Sequence, residues 1–151
     1  MVEKKGLLIV DLQSGFNPPS GLVEQVRVMA DRFDVVAQTR FVHQPNSLYQ
    51  RHLGWYGQGG DLLVDRFDCV MEKTGYGLTE AQVGEIKSLG CDRWWLVGGE
   101  IDACLLACAF SLWDAGIAPQ IMTHFCYGDR EGHREAVKII HKNFGVEAAP
   151  F

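Results

Sequence analysis

Five short apolar runs alternate with helix-like patterns along these 151 residues, and that alternation limits the fold more than any other feature. "GLLIVDLQ" at Gly6–Gln13 is apolar until Asp11, as expected of a strand covered on both faces. Further strands are expected in "VVAQTRF" (Val35–Phe41), "CVMEKT" (Cys69–Thr74), "RWWLVGG" (Arg93–Gly99) and "APQIMTHF" (Ala118–Phe125). Between them, Leu22, Val26, Met29 and Phe33 recur at helical spacing. "LTEAQVGEIKSLG" carries a capping-box pair, Thr79 and Gln82, and a terminating Gly90. "DACLLACAFSLWDAG" reads as a buried helix ended by Gly116, and "REGHREAVKIIHKNFG" as the last helix. The expected architecture is α/β in three layers: a mainly parallel sheet of five or six strands with helices on both faces. One domain spanning 1–151 suits this length. Only Asn46–Asp65, rich in glycine and holding Trp55 and Tyr56, resists the pattern and reads as an irregular loop or short helix.

A net charge of −5 without a long basic run excludes an electrostatic nucleic-acid binder and gives no attraction to anionic membranes. No apolar run reaches bilayer length, and the N-terminal apolar run is cut short by Asp11, unlike a secretory signal. The expected setting is therefore cytoplasmic. Five cysteines (69, 91, 104, 108 and 126), an odd number without CxxC spacing, argue against a disulfide framework or a zinc site.

In open parallel sheets, ligands bind beyond the carboxyl ends of the strands. Asp11, Lys73 and Cys104 all fall on that rim. Cys104 stands in the first turn of a helix, where free N–H groups and the dipole favour a thiolate, and Lys73 adds to that. Asp11 is placed to accept the thiol proton and return it to a leaving amine. The backbone amides of Glu100 and Cys104 are candidates for an oxyanion hole. Gln13 and Phe16 lie just past the first strand; with Trp55, Tyr56 and Tyr76 they are candidates for a pocket wall. His124 ends the fifth strand, where a lone histidine is more often structural.

These residues resemble the isochorismatase-like cysteine hydrolases. "LLIVDLQSGF" is similar to the family's first strand, "MEKTGYG" to its lysine strand, and "LVGGEIDACLLACAFSLWDAG" to its nucleophile segment, in the family's order across nearly the whole chain. The resemblance implies a Rossmann-like fold, Asp11 as general base and acid, Lys73 as electrostatic support and Cys104 as nucleophile. It also implies a non-proline cis peptide at Gly99–Glu100, a small-molecule substrate and a homo-oligomer. The nicotinamidase members carry Thr-Arg-Asp-x-His after the second strand to bind metal. This chain reads "TRFVH", with Phe41 in the aspartate's place, His43 aligned with one ligand and His52 the only other histidine nearby. The expectation is therefore a hydrolase of a small amide or ureido C–N bond, with no metal and no cofactor. Alternatives from other classes are a catalytically inactive relative serving as a binding or assembly subunit, and a vinyl-ether hydrolase like isochorismatase. A nucleotide-binding domain would lean on "VGGE", but the full Gly-x-Gly-x-x-Gly pattern is missing.

Overall fold

A computed structural model describes residues 2–151. The strands are β1 (Lys5–Val10), β2 (Val35–Phe41), β3 (Cys69–Lys73), β4 (Arg93–Gly99) and β5 (Pro119–Tyr127). They form one sheet in the order β3-β2-β1-β4-β5, with every pairing parallel. The helices are α1 (Ser20–Ala30), α2 (Leu48–Leu53), α3 (Glu80–Ser88), α4 (Cys104–Asp114) and α5 (Arg130–Phe144). The strand count settles at five. The β4–β5 register slips between Leu96 and Gly98, near the carboxyl end of β4.

Strand alternation divides the core in two. Leu8, Val10, Ala37, Trp94, Leu96 and Ile121 face a layer made by α3, α4 and α5, where Ile86, Leu105, Cys108, Leu112, Ala136 and Ile140 are buried. Leu7, Ile9, Val36, Trp95, Val97 and Met122 face the other way and pack on Val23, Val26 and Ala30 of α1, with Phe33 beyond its end. β1, central and covered on both faces, is buried from Gly6 to Val10, which explains its unbroken apolar run. The Thr79–Gln82 capping box is present in both directions, and Gly90 adopts φ +72° just past the end of α3. Asp129 caps α5 by accepting the Gly132 amide.

The segment that resisted the pattern contains α2, capped by Ser47, followed by an extended strap. Backbone bonds pin that strap to the exit of β1: Ser14 N–H to Asp61, Gly15 N–H to Gly59 and Leu63 N–H to Leu12. Gly15 permits this approach, since a Cβ there would run into the carbonyl oxygen of Gln58. The strap and α2 thus stand over the carboxyl ends of β1 and β2. No helix among the described residues is long and apolar enough to cross a membrane.

Candidate active site

Asp11 follows the last residue of β1 and is held at every polar atom. Its backbone takes φ +46°, a left-handed conformation uncommon for a residue with a Cβ, which persists only where the surroundings enforce it. Its N–H donates to the Thr39 hydroxyl at 3.0 Å, and that hydroxyl donates to Asp11 Oδ1 at 2.6 Å. Its carbonyl accepts from the Tyr127 hydroxyl at 2.6 Å. Its remaining oxygen, Oδ2, lies 2.9 Å from Lys73 Nζ, and both side chains are shut off from solvent. Lys73 also donates to the Gly75 carbonyl at 2.8 Å. Burial pulls the Lys73 ammonium down, but the neighbouring Asp11, Cys104 and Cys108 outweigh it and hold its pKa above the usual lysine value.

Cys104 opens α4, as its sequence position suggests, but its surroundings push the thiol pKa up where the helix terminus and Lys73 would lower it. Burial is the largest influence and raises the thiol pKa strongly; Asp11 raises it further by charge and by hydrogen bonding, and Lys73 only partly offsets them. Desolvation and an adjacent carboxylate outweigh a helix terminus, whose influence is typically below about 2 kcal/mol. Burial thus works against a resting thiolate, even with the Asp11–Lys73 ion pair nearby. Cys108 and Cys126, fully within the core, are raised mainly by burial in the same way.

β4 leads into α4 through a tight passage. Gly98 adopts φ +113°, and a Cβ on it would collide with the Val10 carbonyl; one on Gly99 would meet Tyr127. The Gly99–Glu100 peptide is cis. The Glu100 carbonyl accepts from the amides of Ala103 and Leu105, both at 3.1 Å, while Ile101 N–H reaches the Tyr127 carbonyl at 2.8 Å. Among the described residues the amides of Glu100 and Cys104 have no such backbone partner, leaving two N–H groups beside the thiol.

Cys104 opens into a cavity of about 320 Å³ lined by Phe16, Phe41, Tyr49, Trp55, Tyr76 and Glu100, with Leu53, Gly99 and Ala103 completing it. Phe16, Trp55 and Tyr76 thus stand where the sequence suggested a wall. Gln13 does not: its side-chain amide donates to the carbonyls of Phe41 and Gly60 and accepts the Phe41 N–H, tying β1 to β2 and to the strap. Tyr56 is largely exposed, and His124 faces solvent away from the cavity. Three contributors carry no signal in the sequence pattern: Thr39, Tyr127 and Tyr49. The Tyr49 hydroxyl is buried without a hydrogen-bond partner, and burial, then Cys104, Tyr76 and Asp11, raise its pKa.

The side chains near Phe41 do not suit a metal. His43 Nδ1 donates to the Gly57 carbonyl at 2.6 Å, and its Nε2 faces the Ser47 hydroxyl, also at 2.6 Å. Its ring stacks on Trp55 with 4.7 Å between centroids. With both nitrogens engaged, His43 clasps α2 to the strap rather than presenting a ligand. Phe41 offers no donor and packs at 5.4 Å from Tyr49. His52 is exposed on α2. Among the described residues no three His, Cys, Asp or Glu side chains gather as a metal-holding group.

No protein-family model matches the chain. No curated protein sequence matches it either. Solved structures do match in fold. The pyrazinamidase of Pyrococcus horikoshii in complex with zinc superimposes with a TM-score of 0.82 at 20% identity, covering 98% of this chain and 99% of that one. An isochorismatase-like hydrolase from Alkaliphilus metalliredigens gives 0.81 at 14% identity over 95% and 93% of the two chains. N-carbamoylsarcosine amidase from Thermoplasma acidophilum gives 0.79 at 16% identity over 95% and 94%. The chain therefore has the isochorismatase-like α/β fold. Identities this low carry the fold and no further, so its chemistry rests on its own residues. The first of these proteins holds zinc; the donor set of this chain does not fit one.

Proposed function

We propose that the chain is a cysteine hydrolase of small amide or ureido C–N bonds, working without a metal and through an acyl-thioester on Cys104. One observation carries this reading: Cys104 lines a cavity, the buried Asp11–Lys73 ion pair acts on its thiol, and the amides of Glu100 and Cys104 have no backbone partner among the described residues.

The residues divide the chemistry as follows. Thr39 holds Asp11 Oδ1, so Oδ2 is left to face Lys73. As Sγ attacks the amide carbon, its proton passes to Asp11, and the carbonyl electron pair moves onto oxygen. The amides of Glu100 and Cys104 stabilise that oxyanion, an arrangement whose single donors are commonly worth about 3 kcal/mol. The C–N bond then breaks as Asp11 returns the proton to nitrogen, and ammonia or an amine leaves. Water, deprotonated by Asp11, attacks the thioester. Sγ departs and recovers a proton, leaving the acid product. Lys73 pairs with the Asp11 carboxylate and lowers the cost of the thiolate as it forms. A thiol whose pKa burial raises suits this cycle, because the thiolate forms only as it is used.

The test is ammonia release from a panel of small primary amides and ureido compounds by the wild type, Cys104→Ala and Asp11→Asn. The expectation is turnover by the wild type and a loss of roughly a thousandfold or more in each variant, as is typical when a nucleophile or its base is removed. Full turnover by Cys104→Ala on any confirmed substrate refutes the mechanism.

A further inference from the structure

We infer that the cavity takes amides whose non-reacting end is positively charged, an ammonium or similar organic cation held between the aromatic wall and the Glu100 carboxylate. The inference rests on the amide-hydrolase reading above and adds the class of substrate. Five of the cavity's side chains are aromatic, and no lysine or arginine lines it. Ring faces attract organic cations through their quadrupoles. One of these rings already lies near a cation: Lys73 Nζ is over the Phe41 ring, 5.6 Å from its centroid. Glu100 is the one charged side chain lining the space. Among the described residues it has no ion-pair partner. Glu100 is exposed, yet partial desolvation, then Asp102 and Asp129, raise its pKa, so an incoming cation relieves it.

The same groups disfavour an anion. A substrate carboxylate would meet Glu100, with Asp102 and Asp129 close behind, and would find no free cation, because Lys73 is paired with Asp11. Attraction for one sign and repulsion of the other act together, so the difference between them exceeds either effect alone.

Three methanethiosulfonates with one reactive head test this: the methyl, 2-(trimethylammonio)ethyl and 2-sulfonatoethyl reagents. Each transfers its RS group to Sγ as methanesulfinate leaves with the S–S electron pair and the thiol proton passes to base. Modification of Cys104 is followed by peptide mass spectrometry in the wild type and in Glu100→Gln. Taking the cation-to-anion rate ratio cancels the fraction of thiol ionised. Half-buried Cys91 on the same molecule, which faces Lys4 and three aspartates, registers the general effect of a net −5 chain.

The expected ratio at Cys104 exceeds that at Cys91 by roughly threefold or more, the factor that corresponds to one solvent-exposed cation contact, and Glu100→Gln lowers it toward the Cys91 value. Equal ratios at Cys104 and Cys91, or a Cys104 ratio unmoved by Glu100→Gln, overturn the charge preference and leave the hydrolase reading standing. Should Glu100→Gln not fold, the comparison of Cys104 with Cys91 in the wild type decides alone. No modification of Cys104 by any reagent, under conditions that label Cys91, overturns the nucleophile reading and the preference with it.

Discussion

Thr39→Val isolates what orients the proposed base. Valine matches threonine in shape, so the substitution opens no cavity. It removes the 2.6 Å hydroxyl bond to Asp11 Oδ1 and the acceptor for the Asp11 N–H at 3.0 Å. A hydrogen bond to a charged group is worth about 1.5–3 kcal/mol, and a buried N–H left without a partner costs about 1–3 kcal/mol. The two losses fall on one residue and overlap, so the expected destabilisation is about 3 kcal/mol. With a urea slope near 2 kcal/mol/M, the unfolding midpoint should fall by about 1.5 M. Freed at Oδ1, the carboxylate can turn from the thiol, so kcat on a confirmed amide should drop while KM changes little. Thr39→Ser keeps the hydroxyl and should recover most of both. A stability change below about 0.5 kcal/mol, with valine and serine behaving alike, would refute the claim that Thr39 positions Asp11.

Other expectations follow from single contacts. Tyr49→Phe removes a buried hydroxyl that bonds to nothing in the free protein, so urea unfolding should show stability unchanged or slightly higher; a loss above about 1 kcal/mol would reveal a partner. Gly98→Ala combines φ +113° with a clash at the Val10 carbonyl and should lower stability by more than about 2 kcal/mol, whereas a neutral result would show that β4 can shift. Cys104, Cys108 and Cys126 all have thiol pKa values raised on folding, Cys108 to about 12. Above the unfolded thiol pKa of about 8.5, the unfolded chain loses these protons while the folded chain keeps them. Stability should therefore be flat below that pH and fall above it, by up to about 1.4 kcal/mol per pH unit for each thiol. Unfolding free energies that stay constant from pH 8 to 10 would contradict the assigned burial.

The sheet was legible because burial on both faces writes unbroken apolar runs, and the capping box at Thr79 and Gln82 is a local signal that needs no tertiary context. The placement of Asp11, Lys73 and Cys104 on one rim follows from parallel topology alone, since each stands where a strand ends or the next helix begins. What supports them was not legible. Tyr127 reaches Asp11 across 116 positions of sequence, and Thr39 looks like any β-branched strand residue. Gln13 could be read as pocket-lining because its position borders the site, yet its amide matches three backbone groups of β2 and the strap. The charge state of Cys104 is not legible in the sequence for a related reason. A helix terminus is visible in sequence, but the burial that opposes it is a property of the assembled core. Asn46–Asp65 lacked periodicity because its order comes from backbone bonds to the exit of β1 and from the His43 clasp.

The central claim is that Cys104 carries the acyl group during turnover. The direct measurement is intact-protein mass spectrometry of an acid quench during steady-state hydrolysis of an amide, with Cys104→Ala in parallel. The account predicts a species heavier by the acyl group, located on the Cys104 peptide, released by neutral hydroxylamine and absent from the variant. Steady turnover with no adduct on Cys104 at any quench time, retained in full by Cys104→Ala, would contradict it.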